Sequence, residues 1–124
     1  MGRESSELVA LLAEFVDELN RGDGEAAVRR FASAGELLVI GTGSDEWLED
    51  PDIVRDAFRQ EAGTLHADFE QVKAYEEGPF GWVAARGRMT LPDGEAVPVR
   101  WTLVLHRGSD GWKILHTHLS VPDD

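Results

Sequence analysis

Trp101-Thr-Leu-Val-Leu-His-Arg-Gly-Ser-Asp-Gly-Trp-Lys-Ile-Leu-His-Thr-His-Leu-Ser-Val121 decides how this chain is read. It spells two long strands around Ser109-Asp110-Gly111. A type I turn followed by a left-handed glycine makes a three-residue loop. That loop pairs Gly108 with Trp112 and sets Leu105–Leu115, Leu103–Thr117 and Trp101–Leu119 on one face. The opposite face then carries Thr102, Val104, His106, Trp112, Ile114, His116 and His118. His116 and His118 stand two apart, so they share a face. A four-residue loop from Gly108 to Gly111 would instead bring both histidines beside Leu103 and Trp101.

The preceding hairpin favours the three-residue loop. Its turn is Pro92-Asp93-Gly94, which pairs Leu91 with Glu95 by the same rule. Met89–Val97, Gly87–Val99, Ala85–Trp101 and Val83–Leu103 follow, all apolar or small. Turn chemistry and pattern thus agree on the register. Continuing one apolar face through both hairpins puts Thr117 and Leu119 inside. It puts Trp82, Arg86, Arg88, Arg100 and the histidines outside. Arg86 stands opposite Arg100, a repulsive pair unless Glu70, Asp68, Glu76 or a second copy's acids answer it.

Working back toward the start, two more strands are expected at about 66–76 and 80–91. Asp50-Pro51 opens a helix running to about Glu61 or Ala62, with Asp as N-cap and Pro at the first helical position. Ile53, Val54, Ala57 and Phe58 form its apolar face. Leu37-Leu-Val-Ile40 is a short buried strand, followed by the glycine-rich Gly41-Thr-Gly-Ser-Asp-Glu-Trp47. That loop lacks the lysine of a phosphate loop. Leu8, Leu11, Leu12, Phe15, Val16 and Leu19 recur at helical spacing over 6–20, with Ser5 or Ser6 as cap. A short helix over about 24–33 buries Ala27, Val28 and Phe31. Helices followed by four long strands predict an α+β domain over 1–124, a curved antiparallel sheet covered on its concave face by three N-terminal helices.

The 124 residues carry a net charge of −12. No basic stripe exists to meet phosphates, so nucleic acid and anionic membranes are excluded as partners. There is no cysteine, which removes thiolate chemistry. No apolar run approaches a membrane span and no signal-peptide core precedes the first helix, so a cytoplasmic location is expected. The start fits the loose M-G-x-x-x-[ST] acylation pattern, read as chance because no basic patch supplies a second membrane signal.

The end, Gly-Trp112-Lys-Ile-Leu-His116-Thr-His118-Leu-Ser120-Val-Pro122, and Ile40-Gly-Thr-Gly-Ser-Asp-Glu-Trp47 running into the third helix, resemble SnoaL-like members of the nuclear-transport-factor-2-like superfamily. The resemblance implies a cone: helices close over a curved sheet and leave a cavity. It also implies dimerisation through the outer sheet face. Family members include polyketide cyclases, steroid isomerases and dehydratases as well as non-catalytic binding domains, so fold alone assigns no activity.

Catalytic relatives place an acid or base inside the cone. Here the inner sheet face offers Thr117 as its only polar group, and the single tyrosine, Tyr75, lies near a strand end. General acid–base chemistry needs a titratable group within reach of substrate. The candidates are Asp45, Glu46, His66 and Asp68 at the rim. The resulting expectation is a dimeric domain that binds a small apolar or aromatic ligand through Leu12, Phe15, Trp47, Phe58, Met89, Trp101, Thr117 and Leu119. The alternative is an isomerase, cyclase or dehydratase working through the rim residues. The outer face, with Trp82, Arg86, Arg88, Arg100, Thr102, Val104, Ile114, His116 and His118, has the aromatic-and-arginine composition of a homodimer interface. His-x-His would be two metal ligands and needs a third; His106 shares the face but lies close to the turn beside Ile114, so no metal is expected, and no motif calls for a cofactor.

Overall fold

The computed structural model describes residues 2–33 and 37–122. The 1–124 domain span and Met1 of the acylation pattern thus reach outside the described residues. The order is β1 (Arg3–Glu4), α1 (Ser6–Asn20), α2 (Gly24–Val28), β2 (Leu38–Ile40), β3 (Trp47–Leu48), α3 (Pro51–Glu61), β4 (His66–Glu77), β5 (Phe80–Thr90), β6 (Ala96–Gly108) and β7 (Gly111–Ser120). Three helices cover a curved, unclosed sheet with strand order β1-β4-β5-β6-β7-β2-β3. All pairings are antiparallel except β2 on β7.

Both long helices start where their caps dictate. Ser5 is the N-cap of α1, its hydroxyl accepting the Leu8 amide at 3.1 Å. Asp50 caps α3 through the Asp52 amide, with Pro51 in the first turn. Along α1 the stripe Leu8, Leu12 and Phe15 is buried against the sheet. On α3, Val54 is buried and Ala57 and Phe58 are half-buried, but Ile53 is 54% exposed. It belongs to the helix's solvent edge. The second helix ends early, at Val28, and Phe31 instead forms a parallel bridge to Ile114.

The β5–β6 register agrees with the turn argument pair by pair, Met89–Val97, Gly87–Val99, Ala85–Trp101 and Val83–Leu103. Leu91 and Glu95 close the loop, the Leu91 amide donating to the Glu95 carbonyl at 2.8 Å. Gly87 is required by its neighbour strand. β4 bulges between Phe69 and Gln71, and a Cβ at Gly87 would stand 2.0 Å from the Asp68 carbonyl oxygen.

The β6–β7 hairpin corrects the reading. Its loop has two residues, Ser109 and Asp110, with Gly108 opposite Gly111 and Arg107 opposite Trp112. Gly111 takes a φ of +91°, the left-handed region a glycine suits. The register shift between Val104 and Leu105 leaves one extra residue on β7, so Leu105 pairs with Ile114 and Val104 with His116. Leu103–Thr117 and Trp101–Leu119 then stand as expected. Trp112 and Ile114 turn inward instead of lying on the outer face, at 8% and 0% exposure. Ile114 is therefore core and is removed from the outer-face set. The Trp112 indole N–H finds no acceptor among the described residues, and the Arg107 guanidinium lies 4.9 Å over its ring.

His116 and His118 lie on the outer face, with His118 exposed and His116 Nδ1 at 2.8 Å from the Leu38 carbonyl. Arg86 does stand opposite Arg100. The group that answers Arg86 is the Gln71 side-chain oxygen, not an acid. Glu76 is committed elsewhere, taking the Ser5 hydroxyl at 2.5 Å and Arg3 at 3.1 Å, and Asp68 faces His66 at 3.4 Å. No helix among the described residues is long and apolar enough to cross a membrane.

Candidate functional site

The helices do not fill the concave face completely. Helix α1 packs tightly at its first three turns, where Leu8, Leu12 and Phe15 reach the sheet. At its last turn a cavity of about 120 Å³ opens beside Val16, Leu19 and Asn20. Val16, Leu19 and Asn20 line it from α1, and Ala57, Phe58 and Glu61 from α3. Val39, Ile40, Gly41, Glu46 and Leu48 close one side. Leu65, Ala67, Phe69, Met89, Trp101, Thr117 and Leu119 complete the lining from the strands and the turn before β4. Most of these apolar residues are half-buried rather than sealed. An apolar hollow of this size matches one small ring: a cavity of about 150 Å³ lined by aliphatic and aromatic side chains takes up benzene.

Aromatic packing makes the floor. Trp101 stacks on Phe15 at 5.4 Å and on Phe69 at 6.0 Å. Phe58 lies 6.1 Å from Phe15 and 4.8 Å from Phe31. Phe15 and Leu12 thus belong to the packed layer under the cavity and do not line it. Helical periodicity reports which face of α1 is buried, not how deep each turn sits. Trp47 also leaves the set: it is 59% exposed and clear of the cavity. Phe58, Met89, Trp101, Thr117 and Leu119 are brought together in the lining.

Asn20 ties the wall to the sheet, its side-chain amide pairing with both backbone groups of Ala67 at 2.9 Å. Thr117 is the buried polar group inside, at 1% exposure.

Two carboxylates stand at the mouth. The Gly41–Glu46 loop is cross-tied by Gly41 N–H to Glu46 O at 2.9 Å and Glu46 N–H to Gly43 O at 3.0 Å. Glu46 Oε1 accepts the Gly43 amide at 2.7 Å, which turns its carboxylate back over Gly41. A Cβ at Gly41 would stand 2.5 Å from Glu46 Oε2. Glu61 arrives from the end of α3. Partial burial pushes the Glu61 carboxyl above its ordinary range, and the Glu46 charge adds to the rise.

Of the four rim candidates, only Glu46 lines the cavity. His66 and Asp68 face one another across 3.4 Å on the exposed edge of β4, with side chains 56% and 81% exposed. Asp45 is exposed in the loop. They are separated from the cavity because β4 turns its alternate residues Ala67 and Phe69 inward. Glu61 escaped the sequence reading although a signal was present. Val54, Ala57, Phe58 and Glu61 follow the i, i+3, i+4, i+7 rule, so Glu61 is an acid on the apolar stripe of α3. Among the described residues no group of three His, Cys, Asp or Glu is placed to hold a metal ion.

Residues 8–124 match the SnoaL-like domain family. An NTF2-like protein of unknown function from Pseudomonas putida superposes with a TM-score of 0.83 at 16% identity, over 96% of this chain and 87% of that one. A candidate dehydratase of the NTF2-like family from Streptomyces avermitilis gives 0.80 at 21% identity, over 94% of each chain. A protein of unknown function with a cystatin-like fold from Nostoc punctiforme gives 0.75 at 13%, over 95% and 90%. At such identities the likeness is one of fold. No curated protein gives a significant sequence match. The three helices, the curved sheet and the match over 8–124 agree: the chain belongs to the SnoaL-like domain family, with an NTF2-like, cystatin-like fold.

Proposed function

We propose that this protein binds a small apolar or aromatic molecule in the hollow between α1, α3 and the sheet. The observation that carries the reading is a cavity of about 120 Å³ whose lining is apolar apart from Thr117, Asn20 and the carboxylates of Glu46 and Glu61. A few polar groups in an apolar hollow are the usual makeup of a small-molecule site. The test is NMR titration with benzyl alcohol, following Thr117, Leu119 and Met89. Saturable shifts at these residues support the reading, and their absence opposes it.

The pair at the mouth favours a second reading, an isomerase, cyclase or dehydratase acting through Glu61 and Glu46. A carboxyl raised above its ordinary range by burial and a like charge is the pattern of a general acid. Turnover of a hydrophobic substrate that is lost in Glu61→Gln would support it.

The outer face is proposed to pack on a second copy. Trp82 and Phe80 are 41% and 53% exposed there, with Tyr75 stacked on Trp82 and His106 against Phe80. Arg88 and Arg100 take no part in the ion pairs among the described residues, which leaves them for a partner's acids. Arg86, Thr102, Val104, His116 and His118 complete this proposed interface.

A further inference from the structure

The cavity has a polarity of its own. Among the described residues its lining holds two carboxylates, Glu46 and Glu61, and no lysine, arginine or histidine. The cations nearest in sequence are engaged on outward surfaces: Arg59 with Glu25 at 2.8 Å and Asp56 at 3.1 Å, Arg21 with Asp17 and Asp23. Asp45, Glu49 and Asp50 follow on the same stretch of chain, all exposed, so the approach is negative as well. A ligand carrying a carboxylate or phosphate would meet only repulsion there. Away from the exposed Glu46 and Glu61, the lining includes the Thr117 hydroxyl on a residue that is 1% exposed. Phe58, Trp101 and Leu119 supply apolar wall to the same hollow.

Resting on the reading of this hollow as a ligand site, we infer that its ligand is a small organic amine, bound as the ammonium. The apolar or single-ring body enters toward Thr117, and the ammonium stays at the mouth between Glu46 and Glu61. An ammonium offers three donors, which suits two carboxylates at a wet rim. It keeps the charge near water, and only the apolar body is desolvated.

The experiment is titration of the full chain at neutral pH with two matched trios: benzylamine, benzyl alcohol and benzoate, and butylamine, butanol and butyrate. Affinity is read by calorimetry and by NMR shifts at Thr117 and Trp101. The amine is expected to bind about tenfold more tightly than the alcohol of the same body, and the acid most weakly. In the Glu46→Gln, Glu61→Gln double variant the amine preference disappears while the alcohol still binds. Equal affinity for amine and alcohol, or an amine preference unchanged in that variant, overturns this inference and leaves the apolar site standing. Shifts at Thr117 and Trp101 from none of the six compounds overturn both.

Discussion

Ser5 and Glu76 join the first helix to the sheet: the Ser5 hydroxyl donates to Glu76 Oε2 at 2.5 Å while accepting the Leu8 amide at 3.1 Å. One buried hydroxyl thus caps α1 and neutralises part of a buried carboxylate on β4. Ser5→Ala removes both. Loss of the cap alone costs about 1 kcal/mol, and leaving Glu76 without its donor adds to it, so the denaturant midpoint falls while the slope stays constant. A midpoint equal to wild type would show that water replaces the hydroxyl.

Glu76 also sets a pH dependence. The Ser5 hydrogen bond, and then Arg3, hold its carboxyl below the ordinary value of 4.5. The folded state therefore binds fewer protons than the unfolded state in this range, and stability rises with pH there. Its contribution is complete above the unfolded value and is lost as pH falls through the lower folded one. Denaturation of wild type and Glu76→Gln should differ at pH 7 and converge in strong acid.

Glu61 acts with the opposite sign. Its carboxyl is raised above 4.5, first by burial and then by Glu46. The folded state holds its proton longer than the unfolded state, so stability falls as pH rises from the ordinary value through the raised one. Glu61→Gln should abolish this decline, and NMR titration should place Glu61 above the ordinary glutamate value of 4.5. Because burial is the larger cause, Glu46→Gln lowers the Glu61 midpoint only in part.

Glycine 87 is a steric requirement. A Cβ there would meet the Asp68 carbonyl oxygen at 2.0 Å and the Phe69 Cα at 2.6 Å, both backbone atoms of the β4 bulge. Backbone cannot swing aside as a side-chain tip can. Gly87→Ala should cost about 2–4 kcal/mol, read as a fall in the denaturant midpoint.

The outer-face dimer is tested by size. Light scattering at micromolar concentration should give twice the chain mass for wild type, and Trp82→Glu or His118→Glu should give the monomer. A monomeric wild type contradicts the proposed interface.

Much of this fold was legible wherever a local signal and the apolar pattern coincided. Ser5, Asp50-Pro51 and Pro92-Asp93-Gly94 each marked a boundary, and the β5–β6 register followed. The β6–β7 hairpin was half legible. Its turn is shorter than assumed and the extra β7 residue is taken up by a bulge, so Thr117 and Leu119 kept their faces while Trp112 and Ile114 changed theirs. A bulge has no turn residue to announce it. The parallel pairing of β2 with β7, Leu38 to His116, joins segments far apart in the chain and carries no local mark. In the cavity, Thr117 and Trp101 were placed by register, but Leu12 and Phe15 were assigned too shallow a depth. Glu61 lay on a legible stripe whose single acid is the informative residue.

The central claim is that the hollow above Trp101 takes a small apolar molecule. The most direct measurement is the benzyl alcohol NMR titration on wild type and on Ala57→Leu, whose larger side chain would occupy the cavity from α3. The account predicts saturable shifts at Thr117, Met89 and Leu119 in wild type, and their loss in a folded Ala57→Leu variant. No shifts in wild type, or the same shifts in both proteins, would contradict it.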